Sequence, residues 1–184
     1  MAVAASRGSR PPRADALRTG PHHCRPRRRH NRPMARASAT IELPATVYEA
    51  EVCWYDTGRW PEWVDQLQRV VEVHGDWPEA GSAVVWESGP AGRGRVTERV
   101  AEYEARSGQS SEIEDDSISG RQTVAFVPAD DGVQVQLSLD YRLKRRRPLG
   151  GLVDRLFIGP AITRSLAKTL ARFGAELSAG SPPT

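Results

Sequence analysis

The side chains that could move protons in this 184-residue chain are few. His74, Glu98, Arg99, Glu112, Glu114, Asp115 and Asp116 lie in or beside stretches that read as β-strand. A carboxyl group works as an acid or base near neutral pH when an apolar pocket raises its pKa. Glu98 is the inward carboxylate among them, because it shares a strand face with Val96 and Val100. Glu112, Glu114 and Asp116 share one face of their own strand, and three carboxylates in a row describe a solvated face. His74 stands at a strand end and reads as a surface residue. His22, His23, Cys24 and His30 are metal-ligand types, but their spacing fits no zinc pattern and no second pair follows. No metal and no cofactor is therefore expected. Neither a nucleophile elbow nor a Ser/His/Asp arrangement is recognisable. The Gly-rich turn over residues 88–94 (SGPAGRG) lacks both the strand-to-helix context and the Lys-Ser/Thr ending of a phosphate loop.

The element that must hold these residues in place is the last one. Leu152, Leu156, Ile162, Leu166, Leu170, Phe173 and Leu177 recur mostly at three- and four-residue steps, which predicts a long helix with one buried face. Gly159-Pro160 interrupts the stripe, so a kink or a short helix ending near Ile158 is expected, with the main helix from about Ala161. Upstream, alternation over residues 38–43 predicts a strand, and residues 45–55 a helix with Val47, Tyr48, Val52 and Tyr55 at helical spacing. A short aromatic turn with Pro61 near its start follows. The rest alternates as strands over residues 67–74, 83–87, 95–104, 110–116, 122–127 and 133–143. The last of these places Val133, Val135, Leu137, Leu139, Tyr141 and Leu143 on one side. The order predicts an α+β fold: a curved antiparallel sheet of about 6–7 strands, its apolar face covered by the C-terminal helix.

Charge divides the chain. Of 26 basic and 23 acidic residues, ten Arg and one Asp lie in residues 1–36, giving that segment +9 and the remainder −6. The basic pI belongs to a Pro/Gly/Arg-rich segment expected to be a disordered tail, as are residues 179–184, with the domain over 37–178. A mildly acidic domain gives no reason to expect nucleic-acid binding. The tail lacks the apolar core of a secretory signal, and Met34 offers a second start for translation. No run of 18 apolar residues predicts a membrane span, and two cysteines, one of them in the tail, fit a reducing cytoplasm.

Three stretches resemble the helix-grip (SRPBCC/START-like) superfamily and its bacterial polyketide cyclase/dehydrase and lipid-transport members. They are Ile41-Glu42-Leu43-Pro44-Ala45 leading into the first helix, residues 56–63 (DTGRWPEW), and residues 148–151 (PLGG) with the long helix after them. The resemblance implies an apolar ligand held between sheet and long helix. It implies a carrier for a hydrophobic small molecule or lipid, or alternatively a cyclase/dehydratase using the same cavity. A partner-binding module with a filled cavity is the third reading. An ionisable side chain deep in the cavity favours the enzyme, and an all-apolar one the carrier. On this reading Trp60 and Trp63 wall the cavity mouth, while Trp86, Phe126, Leu139, Tyr141 and Leu166 face the ligand, with Glu98 as the weak catalytic candidate. Arg145, Arg146 and Arg147, beside Phe157 and Ile158, are the candidate dock for an anionic membrane.

Overall fold

The structure is a computed structural model that describes residues 34–90, 92–144 and 151–180, with side chains from 158 onward in the last helix. In chain order the elements are β1 (Ala35–Leu43), α1 (Val47–Tyr55), α2 (Trp60–Trp63), β2 (Leu67–His74), β3 (Ala83–Ser88), β4 (Arg95–Glu104), β5 (Gly108–Glu114), β6 (Ile118–Ala129), β7 (Gly132–Leu143) and α3 (Gly151–Gly180). The seven strands form one antiparallel sheet in the order β1-β7-β6-β5-β4-β3-β2, and α3 packs across β1, β7 and α2. The fold is the expected helix grip: two short helices after the first strand, and a sheet that closes on one long helix.

Register explains which residues share the inner face. Ala37, Leu139 and Gln122 stand opposite one another across β1, β7 and β6, and Gln122 is opposite Ser111 on β5. One row along, Tyr141, Gly120, Ile113, Glu98 and Val84 line up across five strands. Period-two side chains then put Val96, Glu98 and Val100 on the same inner face, and all three are buried. On α3, Leu166, Leu170, Phe173 and Leu177 close over this face. Gly174 lets the helix lie against β1, since a Cβ there would stand 2.7 Å from Leu43 Cδ2.

Three expectations need correction. Of the two outcomes expected at Gly159-Pro160, the helix end near Ile158 does not occur, because α3 runs unbroken through Pro160. Proline lacks an N–H, but one missing bond does not end a helix that is otherwise held by packing on the sheet. The first helix buries Ala50, Glu51, Cys53 and Trp54, whereas Tyr48 and Val52 are exposed. Its buried face is built by the indole of Trp54 together with the small side chains of Ala50 and Cys53. The first strand starts at Ala35 rather than at Ser38, so Ala35 and Arg36 pair with Tyr141 and Asp140. The basic run Arg145–Arg147 and the leading stripe residues Leu152 and Leu156 lie outside the described residues and side chains.

Tryptophans also finish the helix that precedes the site. The last carbonyls of α1 have no intrahelical partner. Trp60 Nε1 donates to Trp54 O (2.8 Å) and Trp77 Nε1 to Tyr55 O (3.0 Å), so two indoles satisfy them. At its start, Thr46 Oγ1 accepts from Glu49 N and Glu49 Oε2 accepts from Thr46 N, a capping box.

Candidate functional site

Between the inner sheet face and α3 lies a partly open cavity of about 70 Å³. Trp54, Trp60 and Trp63 wall one side, continued by Val64, Asp65 and Gln66 as the chain turns into β2. Trp86, Glu98, Gln122 and Leu137 line it from the sheet, and Ser165, Leu166 and Thr169 from α3. Arg93 enters from the turn between β3 and β4.

Aromatic packing builds the apolar wall. Trp54 meets Trp63 with ring centroids 4.8 Å apart, and both meet Phe173 of α3 edge-on at 5.2 Å. Trp63 is 1% exposed, yet its Nε1 has no hydrogen-bond partner among the described residues.

The polar end is compact. Glu98 is 6% exposed, and burial pushes its carboxyl from 4.5 up to about 7, while the Ser111 hydroxyl and the Arg93 guanidinium pull in the opposite direction. Gln122 Nε2 donates to Glu98 Oε1 at 3.4 Å. Arg93 is anchored elsewhere, its Nε donating to Asp115 Oδ2 at 2.6 Å and its Cζ standing 5.8 Å from the centre of the Trp86 ring. Asp115 is wholly buried at its side chain, and its Oδ1 accepts from Ser117 N, Ser117 Oγ and Ile118 N. Burial raises its pKa, but Arg93 and the two backbone donors outweigh that and hold the carboxyl below its usual value. Such a site can hold a proton near neutral pH beside a fixed cation in a largely apolar space.

A clasp closes the cavity on the helix side. Asp65 N donates to Thr169 Oγ1 (3.0 Å), Ser165 Oγ donates to Asp65 Oδ2 (2.8 Å), and Arg172 Nη1 lies 3.5 Å from Asp65 Oδ1. Gln66 beside it has a φ of 68°, a left-handed conformation uncommon for a residue with a Cβ. Further along α3, Arg59 Nη2 is 2.6 Å from Glu176 Oε1.

Of the residues singled out from the sequence, Trp60, Trp63, Trp86, Leu166 and Glu98 line the cavity. Phe126, Leu139 and Tyr141 are buried on the same sheet face but do not line it. Phe126 packs edge-on against Trp54 and Tyr55, and Tyr141 lies under α3 at Gly159. His74 is exposed and pairs with Glu72, and Glu112, Glu114 and Asp116 face solvent. Sequence reasoning missed Trp54, Arg93, Gln122, Leu137 and the clasp. Leu137 and Gln122 were open to detection, being in register with the inner face. Arg93 carried no signal, since a turn has no period.

The chain has no significant match among the curated proteins. Solved structures share its fold. The Zhui aromatase/cyclase of Streptomyces sp. R1128 is 15% identical with a TM-score of 0.66, over 81% of this chain and 99% of that one. A START superfamily protein of Mycobacterium smegmatis is 18% identical with a TM-score of 0.61, over 79% and 99%. Norcoclaurine synthase of Thalictrum flavum, solved with dopamine and hydroxybenzaldehyde, is 12% identical with a TM-score of 0.61, over 82% and 90%. The family described as polyketide cyclase / dehydrase and lipid transport matches residues 34–178, and it is to this family that the chain belongs.

Proposed function

We propose that this protein binds a small, largely apolar molecule in the cavity between the sheet and α3. The observation that carries this reading is the void itself. Protein interiors rarely keep spaces larger than a water molecule. Here about 70 Å³ stays open inside a wall of four tryptophans, Leu137 and Leu166. That is room for about two waters at ~30 Å³ each, and roughly half of a cavity that accepts benzene (~150 Å³). A single ring therefore extends into the mouth, and a lipid or polycyclic polyketide enters only if the Asp65 clasp opens. Delivery to a membrane through Arg145–Arg147, and a cytoplasmic setting for a chain with a buried free Cys53, belong to this reading.

A second reading is favoured by one specific feature. Glu98 is ionisable, sits in the cavity and has a pKa near neutrality. If the bound molecule is enolisable, Glu98 acts as the general acid or base of a cyclase- or dehydratase-type reaction.

Tryptophan fluorescence tests the binding reading directly, because four of the five indoles line the cavity. Toluene and phenol are expected to give saturable quenching in the wild type and none in Leu166→Trp, which fills the space. Saturable quenching that survives in Leu166→Trp would place the binding elsewhere. Glu98→Gln separates the two readings: a carrier keeps its ligand and loses nothing else, whereas an enzyme binds but no longer turns over.

A further inference from the structure

A chain of buried polar side chains, Glu98, Ser111 and Gln109, runs from the cavity along the inner sheet face. Ser111 stands opposite Val100 on β4, one inner position along from Glu98, and opposite Gln122 on β6. Its hydroxyl acts on the Glu98 carboxyl. Gln109 Nε2 donates to Pro78 O at 3.1 Å, and Ser111 Oγ donates to Gln109 Oε1 at 3.2 Å. Counting protons gives this chain a direction. A backbone carbonyl only accepts, so Pro78 O fixes which end of the Gln109 amide faces it. Gln109 Oε1 then faces Ser111, and it takes the single Ser111 proton. What Ser111 has left for Glu98 is lone pairs, which bond to a protonated carboxyl and not to a carboxylate. Gln122 Nε2 donates to Glu98 Oε1 at 3.4 Å, which leaves Oε2 to carry the proton.

We propose that Gln109 and Ser111 are positioning residues that hold Glu98 as the neutral acid, so that Glu98 enters the chemistry of the cavity as a proton donor and not as a base. The role belongs to the acid/base reading above and rests on it; the placement of the proton stands on the hydrogen bonds alone. When Glu98 gives its proton to a ligand, a carboxylate remains. Ser111 donates to that carboxylate only by turning its own proton away from Gln109, so its downward pull on the Glu98 pKa requires giving up the Gln109 bond. Loss and return of the Glu98 proton therefore switch Ser111 between two partners. Other titratable and charged groups face Glu98. Arg93, from the turn between β3 and β4, is paired with Asp115; it favours the carboxylate and is the group that the Ser111–Gln109 pair works against. Asp65, across the cavity, is held by Ser165 and Arg172. Tyr55 of α1 is kept protonated by burial.

The test follows the titration of Glu98 in the full chain by carbon-13 NMR of the side-chain carboxyls, the Glu98 signal being the one absent from Glu98→Gln. In Gln109→Met the Ser111 proton is free to turn to the carboxylate, and the Glu98 pKa is expected to fall by about one unit or more, the worth of one hydrogen bond. In Ser111→Ala it is expected to fall by less, because the acid loses its acceptor while the carboxylate gains no donor. Ser111→Thr keeps the hydroxyl and is expected to leave the titration in place. Ser111→Ala, the smaller change, decides the matter if Gln109→Met does not fold. A rise in Ser111→Ala would show that Ser111 donates to the carboxylate, and overturns the proposal. So does an unchanged titration in both Ser111→Ala and Gln109→Met, or an equal shift in Ser111→Thr and Ser111→Ala, which traces the effect to packing. Each of these failures leaves the cavity a binding site. A wild-type Glu98 that titrates in the ordinary carboxylate range overturns the acid/base reading, and this inference with it.

Discussion

Replacing Glu98 with glutamine should stabilise the protein, and only above the pH where the carboxyl ionises. In the folded chain the Glu98 carboxyl titrates at about 7, against 4.5 in the ordinary case. Between those values the folded state keeps a proton that the unfolded state has released. The unfolded state then binds fewer protons, so stability falls as pH rises. The fall begins near 4.5 and is complete above 7. At 1.36 kcal/mol per pKa unit the whole fall is about 3 kcal/mol. For a domain of this size that corresponds to about 6–12 °C in melting temperature. Glutamine has the same shape and no charge, so Glu98→Gln lacks this loss. The assay is calorimetric melting of both proteins at pH 5 and pH 8. Any pH-independent effect, such as an altered bond to Gln122, cancels in the comparison. Asp115 does not interfere, because its lowered pKa places its own loss of stability below that window. The expected result is a Gln-minus-Glu difference in melting temperature that grows by most of that range from pH 5 to pH 8. A difference that is flat with pH, or shrinks, would refute the burial argument for Glu98.

Other expectations concern the frame around the site. Leu170→Asp puts an unpaired charge at a position 1% exposed beneath α3, and should cost about 4 kcal/mol or more, read as loss of the cooperative melt; native-like melting would mean that α3 does not cover the sheet. Asp65→Ala removes the carboxylate that Ser165 and Arg172 hold, so acrylamide should quench the cavity tryptophans faster and toluene should enter faster, by stopped-flow fluorescence. Equal entry rates would show that the clasp does not guard the cavity. Gly174→Val drives a side chain into Leu43 and should lower the melting temperature by several degrees, since overpacking costs about 1–3 kcal/mol. A chain starting at Met34 keeps all of β1 and should melt as the full chain does, whereas a start at Ala37 removes the Ala35–Tyr141 and Arg36–Asp140 pairing and should melt lower.

Period explains how far the sequence could be read. Glu98 was recognisable as the inward carboxylate because β4 alternates, and two valines flank it on the same face. The face of β7 and the buried stripe of α3 were open to reading for the same reason, each being a repeated pattern pinned by burial. The site's other half is held by groups with no period. Arg93 comes from a Gly-rich turn, and what fixes its guanidinium is Asp115, 22 residues further on, at a second turn. Neither residue signals the other along the chain. Asp65, Ser165 and Thr169 come together over about a hundred residues in the same way, although Ser165 and Thr169, four apart on one helix face beside Leu166, hinted at a polar contact. Tyr141 shows the limit from the other side. Its inward direction was right, but position along the strand decides whether an inward side chain meets the cavity or the helix, and Tyr141 falls under Gly159. Leu137, on the same face and four residues earlier, meets the cavity instead. Alternation tells which face a residue takes, and only the docking of α3 tells which part of that face stays open for a ligand.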